Sequence, residues 1–289
     1  IGPRGPKLDV KCSPGGAYVS FVTKGDLYIL DTTQGKLIHR THRASATRRF
    51  GVAEFIAQEE MGRYYGHRWS PSERFVAVAE VDLSPVGIKV RPLFYANRTS
   101  LYRQRYPAAG EANAIIKLHV IDLNDRSWRQ VATPQEDGYL PRFGFYSKDR
   151  LYVQWQSRDQ RRVILFRGDP RAATATKQAP ITLTRLTETR DKAWVALHND
   201  LRFLPDGRFI WPTTESGTRQ LALHAADGKR LKPLTRRGDP VVRVAAFDPK
   251  RGVLWYVRAT QRGRSRQLYS TTIEVGAESE KLLTRVAGW

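Results

Sequence analysis

The chain has 289 residues, of which 40% are hydrophobic, so it can bury a large core as one long domain or as two smaller ones. It has no apolar run of about eighteen residues that could span a membrane. Its single cysteine excludes an internal disulfide and a cysteine-based zinc site. The formal net charge is +21, but the basic residues are scattered and no nucleic-acid-binding motif accompanies them. We therefore expect no membrane span and no specific nucleic-acid binding, and we interpret the charge as a basic surface or as the counterpart of an acidic domain.

Strand-like runs rich in β-branched and aromatic residues dominate the sequence and are separated by turn residues. One unit recurs: a turn containing Pro, Gly or Asp, an apolar strand, a short gap and a second strand. Copies begin near Ser13, Ser70, Tyr146, Leu204 and Phe247. Units of about 40 to 60 residues with four strands are typical of propeller blades. The sequence therefore predicts an all-β protein with about five blades of a β-propeller.

Two single residues receive structural interpretations. Cys12 lies at the end of the first predicted strand, where a buried and inert thiol is expected. His67 has no visible partner in the sequence and is interpreted as a surface or packing residue. The six histidines are dispersed without metal-ligand spacing, so we predict no metal site and no cofactor.

Two adjacent glutamates, Glu59 and Glu60, are the most informative residues of the chain. The surrounding segment, 53–61, combines good helix formers with apolar residues and predicts a short helical turn. Neighbouring residues on a helix lie about 100° apart, so both carboxylates can reach one bound group. Two carboxylates held together repel each other unless a cation, such as an amine or a metal, neutralises them. Taken alone, the doublet is also compatible with a solvated charged surface.

The stretch 82–110 interrupts the repeating units. It is long, contains three prolines and carries the aromatic residues Phe94, Tyr95, Tyr102 and Tyr106. An insertion of this length between strands usually has a functional or interfacial role. The alternative is a long hairpin folded onto its own blade. Aromatic residues and arginines favour an interface, so we predict a projecting arm.

Several motifs in a fixed order resemble the dipeptidyl peptidase IV family of prolyl-specific serine peptidases, and the bacterial members in particular. The matching segments are GVAEFIAQEEMGR (51–63), GHRWSP (66–71), VDLSPV (81–86), RYPAAG (105–110) with Asn113, Tyr139 with Leu140, QSRDQ (156–160) and WVALHNDLRFL (194–204). A series of motifs is far more specific than one short pattern. The resemblance covers nearly the whole chain.

The resemblance implies a function for the glutamate pair. It implies part of an eight-bladed propeller in which Glu59 and Glu60 anchor the free α-amine of a peptide. The parent enzyme would be a serine-type dipeptidyl-peptidase that releases N-terminal Xaa-Pro or Xaa-Ala dipeptides. The arm at 82–110 would help to build a homodimer of the full-length protein. By resemblance we also expect a periplasmic or secreted location and an assisting arginine upstream of the first residue.

The sequence also limits that function. No Gly-x-Ser-x-Gly nucleophile elbow is present, so the α/β-hydrolase domain with its Ser-Asp-His triad is not expected in this chain. No catalytic residue is predicted within it, and the chain alone should be inactive. An alternative is a stand-alone propeller that serves as a binding module without peptidase activity. Departures from the family pattern, such as His67 and Arg68 in place of an aromatic pair, give the alternative weight.

Overall fold

The computed structural model describes residues 3–172, 176, 178–284 and 286, and the chain is almost entirely built from strands and turns. About half of the residues, 51%, are in strands and 3% are helical. The first sheet is an antiparallel meander in the order β1-β2-β3-β4. Its strands are β1 Leu8–Cys12, β2 Tyr18–Thr23, β3 Asp26–Asp31 and β4 Leu37–Arg40.

Cys12 ends β1, as predicted, but its side chain is exposed. The prediction of a buried thiol is therefore wrong. The burial pattern of β1 alternates between exposed and half-buried residues, with no fully buried position. An edge strand of this kind does not place its last residue in the core.

The second sheet carries two insertions. Its elements in chain order are β5 Arg48–Phe50, α1 Phe55–Glu59, β6 His67–Trp69, β7 Phe75–Asp82, β8 Ile88–Phe94, β9 Thr99–Arg105, β10 Ile115–Asp122 and β11 Trp128–Gln130. The sheet has the order β11-β10-β7-β5, and β6 also pairs with β7. The strands β8 and β9, which lie between β7 and β10 along the chain, form a separate two-stranded sheet. The insertion predicted at 82–110 is thus a hairpin.

Three further four-stranded meanders follow. The third sheet contains β12 Gly138–Tyr146, β13 Arg150–Ser157, β14 Arg162–Gly168 and β15 Leu183–Arg190, with a 3-10 turn at Ser147–Asp149. The fourth contains β16 Arg202–Phe203, β17 Phe209–Thr213, β18 Gln220–His224 and β19 Arg230–Pro233. The fifth contains β20 Val241–Asp248, β21 Val253–Thr260, β22 Ser265–Thr272 and β23 Gly276–Leu282.

The chain divides into two compact units, 1–159 with 166–184 and 160–165 with 185–289. In the first unit, apolar side chains of β7, β10, β12 and β13 form a core that includes Phe75, Leu118 and Phe143. In the second unit, side chains of β17, β18 and β21 form a core that includes Ile210, Leu223 and Tyr256. Strands in which apolar and polar residues alternate bury one face, and strands with a continuous apolar run bury both faces.

The five predicted repeat units correspond to the five sheets of four or five strands. Each sheet is an antiparallel meander, which is the blade unit of a propeller. The predicted blade starts near Ser13 and Ser70 lie in the turns before β2 and β7. The starts near Leu204 and Phe247 precede β17 and β21. The all-β, propeller-type architecture predicted from the sequence is confirmed.

Candidate functional site

The glutamate segment is an insertion into one strand of the second sheet. Phe50 of β5 pairs with Glu80, and His67 of β6 pairs with Val78. The residue between them, Ala79, donates to Gly66 O at 2.8 Å and accepts from Gly51 N at 2.9 Å. Residues 51–66 therefore leave β7 and return to it at one point. We call these residues the glutamate segment.

The two ends of the glutamate segment cross in close contact. A Cβ atom at Gly66 would lie 2.1 Å from the backbone nitrogen of Val52, a distance at which no side chain fits. Only glycine permits this approach of the two backbones. The crossing fixes the base of the segment.

A buried hydrogen-bonded chain beside this crossing holds the base in place. His67 is fully buried; its Nδ1 lies 3.1 Å from Gly51 O and its Nε2 lies 2.9 Å from Ser20 Oγ. Trp69 Nε1 donates to the same Ser20 oxygen at 2.8 Å. A neutral imidazole that donates from Nδ1 and accepts at Nε2 satisfies every member of the chain. His67 is thus the packing residue that the sequence suggested, with partners that the sequence did not reveal.

The electrostatics of His67 keep it neutral. Burial, followed by the positive charge of Lys11, lowers the pKa of His67 to about 3. The Asp9 carboxylate lies 3.3 Å from Nδ1, but Asp9 also pairs with Lys11, which compensates its charge. A neutral histidine can both donate and accept hydrogen bonds, whereas a protonated one could only donate.

A second closure inside the segment is the buried ion pair of Glu54 and Arg63. Arg63 is fully buried, and its Nη2 donates to Glu54 Oε2 at 2.6 Å. Its Nε donates to Leu140 O of β12 at 3.0 Å, and its Nη1 donates to Tyr65 O at 2.7 Å. The guanidinium also lies 5.6 Å from the ring centroid of Phe143. A buried charge is tolerated only when it is paired and hydrogen-bonded, and this arginine is both.

Helix α1 lies inside both closures and is too short to be stable alone. It is held by Ala57, which is fully buried, and by Met61, which is buried just beyond its end. Gly62 has a φ of +60° and turns the chain back, so that Arg63 N donates to Ala57 O at 2.8 Å. The predicted helical turn is confirmed. The packing leaves the last residues of the helix facing solvent.

Glu59 and Glu60 occupy this outward position. Glu59 ends α1 and Glu60 follows it with αR backbone angles, φ −104° and ψ −32°. Both side chains are exposed. Among the described residues, no lysine or arginine forms an ion pair with either carboxylate, although the chain contains 49 basic residues. The pair is therefore available to a cation from outside.

The arm contacts the glutamate segment at its root. The rings of Phe55, in α1, and Tyr106, just after β9, meet edge to face with centroids 5.1 Å apart. A small cleft beside this contact is lined by Ile56, Val86 and Asn113, among others. The segment is thus supported by β12 on one side and by the root of the arm on the other.

Chemically, this arrangement can bind a cation. Two adjacent carboxylates can accept several charge-assisted hydrogen bonds from one ammonium group. Within the described residues, no group of three or more His, Cys, Asp or Glu side chains could hold a metal ion. In the same part of the chain, no helix is long and apolar enough to cross a membrane.

The fold and the site together define a β-propeller that carries an exposed glutamate pair on an inserted helix. A family model described as the dipeptidyl peptidase IV (DPP IV) N-terminal region matches residues 2–288. The chain belongs to this family, as the motif series suggested.

Relatives with known names agree with this assignment. Dipeptidyl peptidase 4 of Felis catus is 24% identical over 279 residues, covering 89% of this chain and 36% of the relative. Inactive dipeptidyl peptidase 10 of Rattus norvegicus is 25% identical over 242 residues, covering 78% of this chain and 29% of the relative. The crystal structure of Porphyromonas gingivalis dipeptidyl peptidase 4 matches with a TM-score of 0.87 at 22% identity. That match covers 100% of this chain and 40% of the solved chain, and it shows the shared fold.

Sequence reasoning identified the glutamates but missed the residues that position them. Glu54 and Arg63 lie within the motif at 51–63 and Gly66 begins the motif at 66–71, yet none of the three was singled out. The usable signal was Gly51 and Gly66 on either side of the helical turn, since paired glycines often mark close approaches of the backbone. Glu54 and Arg63 are nine residues apart, and this spacing matches no helix or strand period that would predict their contact.

Proposed function

We propose that this chain is the substrate-recognition propeller of a serine exopeptidase that releases N-terminal Xaa-Pro or Xaa-Ala dipeptides. In this proposal Glu59 and Glu60 bind the α-ammonium group of the peptide. The observation that carries it is the pair itself: two adjacent exposed carboxylates without a basic partner among the described residues of a strongly basic chain. Family membership supports the same reading.

The physical role of the pair would be to fix the position of the substrate's N-terminus. Charge-assisted hydrogen bonds from an ammonium group are among the stronger polar contacts. Once the amine is fixed, the length of a dipeptide determines which peptide bond reaches a nucleophile. This is catalysis by positioning, and it requires a rigidly held anchor. The buried pair of Glu54 and Arg63 supplies that rigidity.

The rest of the assembly belongs to the same proposal. The chain spans 36% of the length of the cat dipeptidyl peptidase 4 and 29% of the rat relative, so the catalytic triad would lie in other parts of the protein. The arm at 82–110 would form part of a homodimer interface in the full-length protein. A periplasmic or secreted location would follow from the same family relationship.

The alternative is a stand-alone propeller that serves as a binding module without peptidase activity. The relative from rat is named inactive, and this chain contains no nucleophile elbow. The two proposals differ in the activity expected of the parent protein. If the parent protein releases a dipeptide and serine-directed inhibitors block that release, the enzyme is supported. Residues 1–289 alone should release no dipeptide under either proposal, and inhibitor-sensitive release by them would contradict both.

The anchoring role is tested with Glu59→Gln and Glu60→Gln. In the parent enzyme each change should lower kcat/KM for dipeptide release by about 10- to 150-fold, because one charge-assisted contact is lost. This corresponds to a loss of about 1.5–3 kcal/mol of transition-state stabilisation. An acetylated substrate should show no such difference, because it lacks the ammonium group. The matched control is Glu278→Gln, since Glu278 is exposed on β23 in the other unit.

The result that would remove the anchoring role is also defined. If both glutamine variants kept the kcat/KM of the natural protein with free-amine substrates, the pair would be an ordinary solvated surface. If Glu278→Gln caused the same loss, the effect would reflect net charge rather than the site.

A further inference from the structure

A groove of about 710 Å³ lies between the arm and the glutamate segment in the first unit. Its lining includes the apolar residues Val52, Ala53 and Leu83 and the aromatic residues Phe55, Tyr102 and Tyr106. This volume falls within the range of ligand-binding clefts. The lining includes Phe55 and Gln58 of α1 but neither Glu59 nor Glu60.

The groove is lined by four arginines, which are Arg49, Arg91, Arg103 and Arg105. Arg105 donates to the carbonyls of Ser84 and Val86. Arg91 donates to Gln104 Oε1 at 2.7 Å and lies 5.3 Å from the ring centroid of Tyr102. These partners are neutral, so they leave the positive charges uncompensated.

The other two arginines are equally free of counter-charge. Arg49 and Arg103 are exposed, and within the described residues no carboxylate forms an ion pair with them or with Arg91. The only carboxylate in the lining is Glu54, which already pairs with the buried Arg63. The groove therefore presents uncompensated positive charge, which favours an anionic ligand.

The backbone of β9 adds a second feature. The groove is lined by consecutive residues, 102–106, whereas one face of a strand presents only alternate residues. The outer edge of β9 therefore faces the groove. In the described part of the chain β9 pairs only with β8, so this edge has no strand partner. An unpaired edge can accept an extended peptide as an added strand.

We propose that this groove binds an extended acidic peptide segment. Its backbone adds to the free edge of β9, and its carboxylates pair with Arg49, Arg91 and Arg103. The apolar and aromatic residues of the groove contact the intervening side chains. The free strand edge favours a peptide over a nucleic acid, which has no backbone groups that match it.

The test uses residues 1–289 and an acetylated, amidated six-residue peptide of two glutamates, two valines and two glutamates. Such a peptide presents glutamates on both faces of an added strand, as required because Arg91 and Arg103 lie on opposite faces of the hairpin. Acetylation removes the ammonium group, so the result is independent of the glutamate pair and of the proposed function. Isothermal titration at low salt should detect binding. The double variant Arg91→Gln with Arg103→Gln should weaken it about tenfold or more, because two charge-assisted contacts are lost.

The matched control is Arg262→Gln with Arg264→Gln, which removes the same charge from an exposed turn between β21 and β22. Affinity should change less than about twofold in this control, because distant surface charges are screened. Methylation of alternate backbone nitrogens of the peptide on one edge should abolish binding. The same modification on the opposite edge should not.

Three results would overturn the proposal. Equal losses in the two double variants would show that the peptide responds only to the overall positive charge. Indifference to backbone methylation on either edge would exclude strand addition. A single-stranded oligonucleotide of equal charge that bound as tightly, and lost affinity in the same groove variant, would identify a nucleic-acid groove instead.

Discussion

The glutamate segment and the arm are both insertions next to β7, yet they are stabilised by opposite means. The segment, 51–66, is closed twice, by the glycine crossing at its base and by a fully buried arginine within it. The arm is a two-stranded hairpin whose large apolar side chains are exposed, including Ile88 at 57%, Leu101 at 67% and Phe94 at 78%. An isolated hairpin of this kind is only marginally stable in water.

The difference matches the two kinds of recognition proposed for the segment and the arm. A site that must hold an amine at a fixed distance needs internal contacts that restrict its motion. A surface that packs against a partner leaves its apolar side chains uncovered until the partner arrives. Under the proposed functions, buried polar contacts would meet the first requirement in the segment, and exposed apolar side chains would meet the second in the arm. Mutations should therefore have large effects on stability in the segment and small effects in the arm.

The largest effect is expected from Arg63→Met. The change leaves the Glu54 carboxylate buried without a partner and removes donors from the carbonyls of Leu140 and Tyr65. Breaking one side of a buried ion pair typically destabilises a protein by about 3–5 kcal/mol. Urea denaturation, followed by far-ultraviolet circular dichroism, should show this loss.

Adding Glu54→Gln to Arg63→Met serves as the control. It removes the unpaired charge, so part of the lost stability should return, and the two changes should be strongly non-additive. If Arg63→Met cost no more than the exposed Arg262→Met, the segment would not depend on its buried pair. The comparison between segment and arm would then fail.

An intermediate effect is expected from pH, acting at the base of the segment. His67 has a pKa of about 3 in the folded protein and about 6.5 when unfolded. Below pH 6.5 the unfolded chain binds the proton first, so folding becomes less favourable as pH falls toward 3. The slope from this one group is about 1.4 kcal/mol per pH unit.

The His67 contribution is isolated by comparison with His67→Gln. Other groups also titrate in this range, including His39, whose pKa burial lowers to about 4. The natural protein should therefore lose stability more steeply between pH 6.5 and 4.5 than the variant does. Parallel curves for the two proteins would show that His67 is not held neutral. Residues 82–110 contain no histidine, so the arm should contribute nothing to the difference.

The smallest effect on folding is expected from Phe94→Ser at the tip of the arm. Phe94 is 78% exposed, and substitutions of exposed residues usually change stability by no more than about 0.5 kcal/mol. The same change should weaken self-association of the full-length protein, measured by sedimentation velocity. A loss of more than about 1 kcal/mol in residues 1–289 would show that the tip packs against its own chain.

Much of the fold could be predicted from local sequence. The turns near Ser70 and Leu204 and the apolar runs that follow them gave the correct strands and blades, because strand and turn preferences act over a few residues. Cys12 was misjudged because burial depends on which edge of a sheet a strand occupies, and no local pattern encodes that. The hairpin at 82–110 was visible as an interruption of the rhythm.

The site was predictable only in part, for the same physical reason. Glu59 and Glu60 were found because they lie in a segment that both resembles a family motif and has a helical pattern. Arg63 was not, because its partners include Leu140, which is 77 residues away along the chain. Contacts of this kind arise from packing between strands of different sheets.

The crossing of Gly51 and Gly66 opposite Ala79 has a consequence for engineering. Phe50 and His67 already pair with adjacent stretches of β7, so residues 55–62, inside the buried pair of Glu54 and Arg63, could be replaced by other loops while the strand keeps its alignment. The blade would then act as a frame for interchangeable loops, as antibody domains do for theirs. A library of such replacements could give the same propeller new ligands.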